Sequence, residues 1–277
     1  MFEAIVNITK TPKVIVLRTA GTNCDEETGF AFEHFGAKVD LVHINKLLNR
    51  EVNLSDYHIL AIPGGFTYGD DIESGRILAN ELRIHLGEDI IKFINDKKLI
   101  IGICNGFQVL VKAGFLPGNL TGSKISKTYL SQKVTLISND SSKFEDRWTY
   151  LEVRGDSVWT KGLKEIVYFP VAHAEGKFVP QDGAVLKSLT DNGQVAFRYC
   201  SQYGEAPVYP QNPNGSVDNI AGITDITGRV LGLMPHPERH FLFEHHPFWT
   251  RKEKQSKYGE GSMIFKNGVN YVKTTLL

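Results

Sequence analysis

Short, unbroken apolar runs alternate with segments of helical period through the first half of the chain. Lys13-Val14-Ile15-Val16-Leu17 reads as a buried strand. From Asp25 a helical segment carries Phe30, Phe32, Glu33 and Phe35 and is closed by Gly36. Ala37-Lys38-Val39-Asp40-Leu41-Val42-His43-Ile44 reads as a second strand. Tyr57-His58-Ile59-Leu60-Ala61-Ile62 is a third, stopped by Pro63-Gly64-Gly65. Ile77, Leu78, Leu82, Ile90, Ile91, Phe93 and Ile94 predict one helix leading into the strand Leu99-Ile100-Ile101-Gly102-Ile103. Continuously apolar strands separated by amphipathic helices imply a parallel sheet covered on both faces, with right-handed crossovers.

The second half changes character. Residues 134–137, 149–153, 167–169, 195–199, 220–224 and 230–234 read as short strands between turn residues, and a long helical pattern returns only from Met263 to Val272. No linker-like or charged stretch divides the halves, and there is no repeat. The expectation is an α/β fold of one domain, residues 1–277, in which the second half extends the first sheet into a mixed one. Tyr209-Pro210-Gln211-Asn212-Pro213-Asn214-Gly215-Ser216 reads as an ordered, turn-rich loop.

The most informative junction is Gly102-Ile103-Cys104-Asn105-Gly106-Phe107-Gln108. An apolar strand stops at a cysteine bracketed by two glycines, and a helical segment follows at once. This is the pattern of a nucleophile elbow, whose sharp turn lifts one side chain above the sheet. The first amides of the following helix favour a thiolate there. A buried cysteine alone is more often packing; the glycine bracket turns the reading towards a covalent catalyst.

Composition narrows the field. The chain has 277 residues, 42% hydrophobic and 22% charged, with 31 Lys+Arg against 31 Asp+Glu. Balanced charge gives no electrostatic reason to expect nucleic acid or a membrane surface as partner. No apolar run approaches a membrane span, and Met1-Phe2-Glu3-Ala4-Ile5-Val6-Asn7 lacks the basic leader of a signal peptide. The 3 cysteines, Cys24, Cys104 and Cys200, are far apart and form no Cys-x-x-Cys pair. A disulfide framework is therefore not expected, and a reducing cytoplasm fits. The sequon Asn7-Ile8-Thr9 is then irrelevant.

A thiol nucleophile needs a base and then an acid, and histidine does both near neutral pH. Among 9 histidines, His236 follows the apolar run Val230-Leu231-Gly232-Leu233-Met234 and sits between Pro235 and Pro237. Glu238, two residues on, projects to the same side of an extended chain and can orient the imidazole. Cys104, His236 and Glu238 thus form a candidate triad of nucleophile, base and orienter. Most histidines are ordinary loop residues; the flanking prolines and the acid set this one apart.

Pro63-Gly64-Gly65-Phe66-Thr67-Tyr68-Gly69-Asp70 supplies glycines at the end of a parallel strand, where amides can approach a ligand. The amides of Gly65 and Asn105 are the expected oxyanion hole. The rival reading, a phosphate loop, fails on spacing: Gly64-Gly65-x-x-x-Gly69 is not Gly-x-Gly-x-x-Gly, and no Gly-x-x-x-x-Gly-Lys-Ser/Thr occurs. His236 and His240 have ligand spacing, but Pro237 and the lack of further ligands argue for no metal. Cys24, Cys200, His34 and the pair His245-His246 are read as structural, Cys24 as the neighbour of a helix cap.

Together these motifs resemble the class I (triad) glutamine amidotransferases, and within them the branch that serves phosphoribosylformylglycinamidine synthase in purine biosynthesis. The resemblance spans nearly the whole chain. It rests on Gly21-Thr22-Asn23-Cys24-Asp25, the 63–70 and 102–108 strings, and Phe144-Glu145-Asp146-Arg147-Trp148. It rests also on Pro170-Val171-Ala172-His173-Ala174-Glu175-Gly176-Lys177-Phe178, Asn212-Pro213-Asn214-Gly215-Ser216 and Met234-Pro235-His236-Pro237-Glu238-Arg239. It implies a three-layer, flavodoxin-like, mostly parallel mixed sheet with helices on both faces. It implies attack by Cys104 on the side-chain amide of glutamine, a glutamyl thioester, and release of ammonia and glutamate.

Phe66, Gln108, His173, Ala174 and Glu175 fall at substrate-binding positions by this resemblance. Ala174 departs from the glycine usual there, and Gly69-Asp70-Asp71-Ile72-Glu73-Ser74-Gly75 lacks the commoner cysteine before its second glycine. The resemblance further implies that ATP and Mg are used by a separate synthetase subunit, with a small third subunit often present. This chain itself would bind no cofactor. The alternatives are a glutaminase serving another synthase, a non-catalytic scaffold of the same fold, and a different hydrolase or thiol-stress protein on a related sheet.

Overall fold

Val14, Ile15, Val16 and Leu17 have almost no exposed surface, because their strand lies inside a sheet of nine. The computed structural model describes residues 11–70, 72–118 and 130–277. The expectations placed on the first seven residues, on Asn7-Ile8-Thr9 and on Asp71 lie outside the described residues. The sheet contains β1 (Lys13–Arg18), β2 (Lys38–His43), β3 (Ile59–Ile62), β4 (Leu99–Ile103), β6 (Glu145–Val153), β7 (Ile166–His173), β9 (Val195–Cys200), β10 (Ile220–Thr224) and β11 (Val230–Leu233). Two further strands, β5 (Val134–Ile137) and β8 (Lys177–Pro180), pair with each other in a separate small sheet.

The spatial order is β2-β1-β3-β4-β11-β10-β9-β6-β7. Pairing is parallel from β2 through β11. Beyond it, β10 and β6 are each antiparallel to both neighbours, so all the other strands run one way. The sheet is thus mixed and mostly parallel, as expected. Its central strands β3, β4 and β11 are buried along their whole length, which is why they read as continuous apolar runs. Helices complete the layers: α1 (Asp25–Glu33), α2 (Ile44–Leu48), α3 (Arg76–His85), α4 (Gly87–Asn95), α5 (Asn105–Lys112), α6 (Gly183–Asp191) and α7 (Ser262–Tyr271). α1 packs with α7, and α3 with α4 and α5. No described helix is long and apolar enough to cross a membrane.

Two expectations are corrected. The single helix through Ile77 and Ile94 is two, α3 and α4, broken at Leu86 with φ −118° and ψ 5°. Leu86 is itself buried, so the apolar face continues across a break that periodicity cannot register. The second half is not wholly an extension of the main sheet, since β5 leaves it to pair with β8. Finally α6 and β8 carried no sequence expectation, although the Asp182 side chain accepts from Val185 N at 2.9 Å and so caps α6 in the usual way.

Candidate active site

Four adjacent parallel strands, β1, β3, β4 and β11, deliver their C-terminal ends to one edge of the sheet, where open α/β folds bind ligands. β4 ends at Cys104, whose φ of 51° and ψ of −106° lie outside the favoured regions for a side-chain-bearing residue. The turn is held by the Cys104 N–H donating to Leu233 O on β11 at 2.8 Å, and by the Phe107 and Gln108 N–H groups returning to Cys104 O. The glycine bracket has a measurable cause. A Cβ on Gly106 would stand 1.8 Å from Ile62 O, so only glycine lets α5 leave the turn against β3.

β11 ends just before His236, and the His236 N–H donates to Pro170 O on β7 at 2.8 Å. Pro237–His240 forms a short 3-10 turn that folds Glu238 back on the ring. Nδ1 of His236 lies 2.5 Å from Glu238 Oε1, with both side chains buried. A carboxylate only accepts, so Nδ1 carries the hydrogen and Nε2 is left for the nucleophile. Nε2 is buried and completes no hydrogen bond, as is Oε2 of Glu238. Burial pushes the His236 pKa down. The Glu238 carboxylate, Cys104 and Cys24 more than offset it and raise the pKa well above the ordinary value.

Gly64 lies beneath this group. A Cβ there would meet His236 Cε1 at 2.7 Å, Cys24 Sγ at 3.0 Å and Cys104 Cβ at 3.5 Å, so the three side chains converge on one point. The neighbouring Gly65 has φ of 145°, and among the described residues neither its amide nor that of Asn105 donates to a protein acceptor. The Phe66 amide, in contrast, is committed to Gly21 O at 2.9 Å. The two free amides are those the sequence assigned to the oxyanion.

Beside the thiol, the end of β7 contributes Ala172, whose carbonyl lies 3.6 Å from Cys104 Sγ. His173 is buried. Burial, then the charge of His236, pushes its pKa down to about 3, so it is a neutral ring near neutral pH. Asn214 Nδ2 lies 3.4 Å from His173 Nε2, which ties the ordered 212–216 loop to this strand. Gln108 Nε2 donates to Glu175 O at 2.6 Å, and its Oε1 accepts from Asn105 Nδ2 at 2.9 Å. Asn105 Oδ1 in turn accepts from Thr67 Oγ1 at 2.7 Å, linking the elbow to the glycine loop. Glu175 Oε2 accepts from Ser74 N. The carbonyl of exposed Ala174 is taken by Asn139 N. Phe66 stands at the rim, half-exposed and stacked on Phe144.

Two neighbours were not foreseen. Lys112 is buried on α5, with Nζ 2.8 Å from Ser74 O and 3.4 Å from Glu73; the sequence showed only a lysine in a helix. Cys24 was read as a helix-cap neighbour. It does occupy the N-cap position of α1, yet it makes no side-chain cap bond. Instead its Sγ accepts from Arg239 Nη2 at 3.1 Å, beside His236. Ligating atoms of Cys24, Glu27, His236 and Glu238 all lie within 4.8 Å of one another, a donor set of the kind zinc accepts. Here Glu238 is engaged with Nδ1, and Glu27 with Arg239 Nε at 2.9 Å. A metal would have to displace both.

Comparison with known proteins gives the family. Residues 11–272 match the family of CobB/CobQ-like glutamine amidotransferase domains. The chain is 46% identical over 263 residues to phosphoribosylformylglycinamidine synthase subunit PurQ of Dehalococcoides mccartyi, covering 94% of this chain and 98% of the relative. It is 42% identical over 272 residues to the PurQ subunit of Archaeoglobus fulgidus, covering 94% and 97%. Among solved structures it resembles a chain of PurLQS from Thermotoga maritima, with TM-score 0.69, 30% identity, and 95% and 100% of the two chains covered.

Proposed function

This chain belongs to the CobB/CobQ-like glutamine amidotransferases and, among them, to the PurQ family, and we propose that it is the glutaminase subunit of a phosphoribosylformylglycinamidine synthase. The observation that carries the reading is the buried His236–Glu238 pair beside an elbow cysteine, with two uncommitted amides facing the same edge. The Cys104 sulfur attacks the side-chain carbonyl carbon of glutamine, and the Gly65 and Asn105 amides stabilise the resulting oxyanion. His236 returns the thiol proton to the departing nitrogen. The C–N bond breaks, releasing ammonia and leaving a glutamyl thioester on Cys104. His236 then takes a proton from water, which hydrolyses the thioester to glutamate and restores the thiol. Glu238 holds the ring throughout and stabilises its positive charge whenever it is protonated.

Phe66, Gln108, His173, Ala174 and Glu175 border the substrate on this reading. Gln108 and Glu175 are joined by a hydrogen bond and act as a unit, and His173 acts through packing and its carbonyl-end neighbours. The whole chain acts as one domain in the cytoplasm and needs no cofactor of its own. ATP and Mg belong to a synthetase subunit that receives the ammonia, a partnership supported by the likeness to a PurLQS chain. A small third subunit completes the proposal.

The test is glutamine hydrolysis and product synthesis with and without the synthetase subunit, for the native chain and Cys104→Ala. The variant is expected to lose glutamine-dependent synthesis and to keep synthesis from an ammonium salt. Retained glutamine-dependent synthesis in the variant would overturn the assignment.

A further inference from the structure

The mechanism above uses one thiol, but two lie against the catalytic ring. Cys24 is 1% exposed, and its Sγ lies within 4.8 Å of a ligating nitrogen of His236. Its position is fixed from several directions. The Cys24 N–H donates to Gly64 O at 3.3 Å, Sγ–H donates to Asn23 Oδ1 at 3.1 Å, and Arg239 Nη2 donates to Sγ at 3.1 Å. Arg239 is itself held to α1 through Glu27. A purely packing thiol would not need a guanidinium pointed at its sulfur.

We propose that Cys24 is a positioning residue, a second sulfur that keeps the His236 ring in line while Cys104 is acylated. The inference rests on the glutaminase reading. In the free enzyme Nε2 can share a proton with Cys104. Once that sulfur is a thioester it has neither a proton to give nor a negative charge to attract the ring. At that stage His236 must still be held where it can take a proton from water, and Glu238 fixes only the Nδ1 end. Once Nε2 has taken that proton, Cys24 is the polarisable acceptor left beside the ring. Arg239 and Asn23 keep it from turning away.

The groups facing His236 are Glu238 on its own turn, Cys104 at the elbow, Cys24 ahead of α1, Arg239, and His173 on β7. Burial pushes the Cys24 thiol up and the nearby Glu238 charge adds to this. His236 and Arg239 pull against it, and the net direction is upward. Cys24 therefore works as a thiol and does not replace Cys104 as nucleophile.

The experiment uses the chain assembled with its synthetase subunit, comparing native protein, Cys24→Ala, Cys24→Ser and Cys104→Ala. Glutamine turnover, its pH profile, and the fraction of Cys104 carrying a glutamyl group after rapid acid quench are measured, the last by mass spectrometry. Cys24→Ala is expected to lower kcat about tenfold, the rate equivalent of one lost hydrogen bond. Its KM should stay within about twofold. The glutamyl adduct should accumulate, and the pH profile should shift. Cys24→Ser, which keeps a polar hydrogen-bonding group, should recover most of the loss and serves also if the alanine variant does not fold. Equal losses in both variants with an unchanged pH profile and no adduct would mean packing alone and overturn the proposal, as would native kcat in Cys24→Ala. No adduct in any protein, with glutamine turnover surviving in Cys104→Ala, would instead overturn the underlying glutaminase reading.

Discussion

Nδ1 of His236 lies 2.5 Å from Oε1 of Glu238, only two residues along the chain, and neither side chain reaches solvent. The pair is set by the turn at Pro237 and needs no distant element to form. Its strength predicts the effect of Glu238→Gln. The amide keeps the shape but removes the charge that raises the His236 pKa. A neutral ring is required to take a proton from water, so the limb of kcat that rises with pH should move to lower pH in the variant. Its plateau should fall by about a hundredfold, within the usual contribution of a positioned acid–base group. A profile of kcat against pH checks both.

Gly64→Ala tests the convergence of His236, Cys24 and Cys104. The added methyl would press on His236 Cε1 at 2.7 Å. Overpacking of this kind costs about 1–3 kcal/mol, and here it falls on the reacting groups. The expected result is a loss of kcat of at least about tenfold, with circular dichroism unchanged.

Gln108→Ala removes the side chain that joins Glu175 O to Asn105 Nδ2. If it borders the substrate, as proposed, without touching the His236–Glu238 pair, KM for glutamine should rise about tenfold while kcat changes less. Steady-state kinetics on the assembled enzyme separate the two. A variant that lost kcat alone would place Gln108 with the reacting groups.

His173 predicts a pH dependence of stability. In the unfolded chain it protonates near the ordinary histidine value, whereas in the fold burial keeps it neutral down to about 3. The unfolded state therefore binds the extra proton as pH falls, and stability declines between those limits by up to about 1.4 kcal/mol per pH unit from this group. Above the ordinary histidine value it contributes no slope. His173→Gln should flatten the acid side of a denaturation series carried out from neutral to mildly acidic pH.

How legible the molecule was depended on how local each signal is. β10, at Ile220–Thr224, is bounded as its apolar run reads, and the Cys104 elbow is written in consecutive residues. Leu86 hid a helix break because it is apolar and buried on both helices' shared face. Thr149 to Val153 showed only part of β6, whose earlier residues Asp146, Arg147 and Trp148 are not buried and leave no apolar run. The contact of Cys24 with Arg239 was not legible because the two are remote in sequence. Only the packing of α1 against the turn at Pro237–His240 brings the two together. Lys112 was missed for the same reason: Ser74 and Glu175 come from separate segments.

β11 is among the last strands of the chain, yet it slots between β4 and β10 in the middle of the sheet. A growing polypeptide that already carries Cys104 still lacks the strand that both holds the elbow turn and aims the imidazole at it. Glutamine is thus safe from a ribosome-bound fragment, and a product cut short ahead of Val230 carries a thiol with no means of releasing nitrogen. Competence waits on the strand that closes the gap.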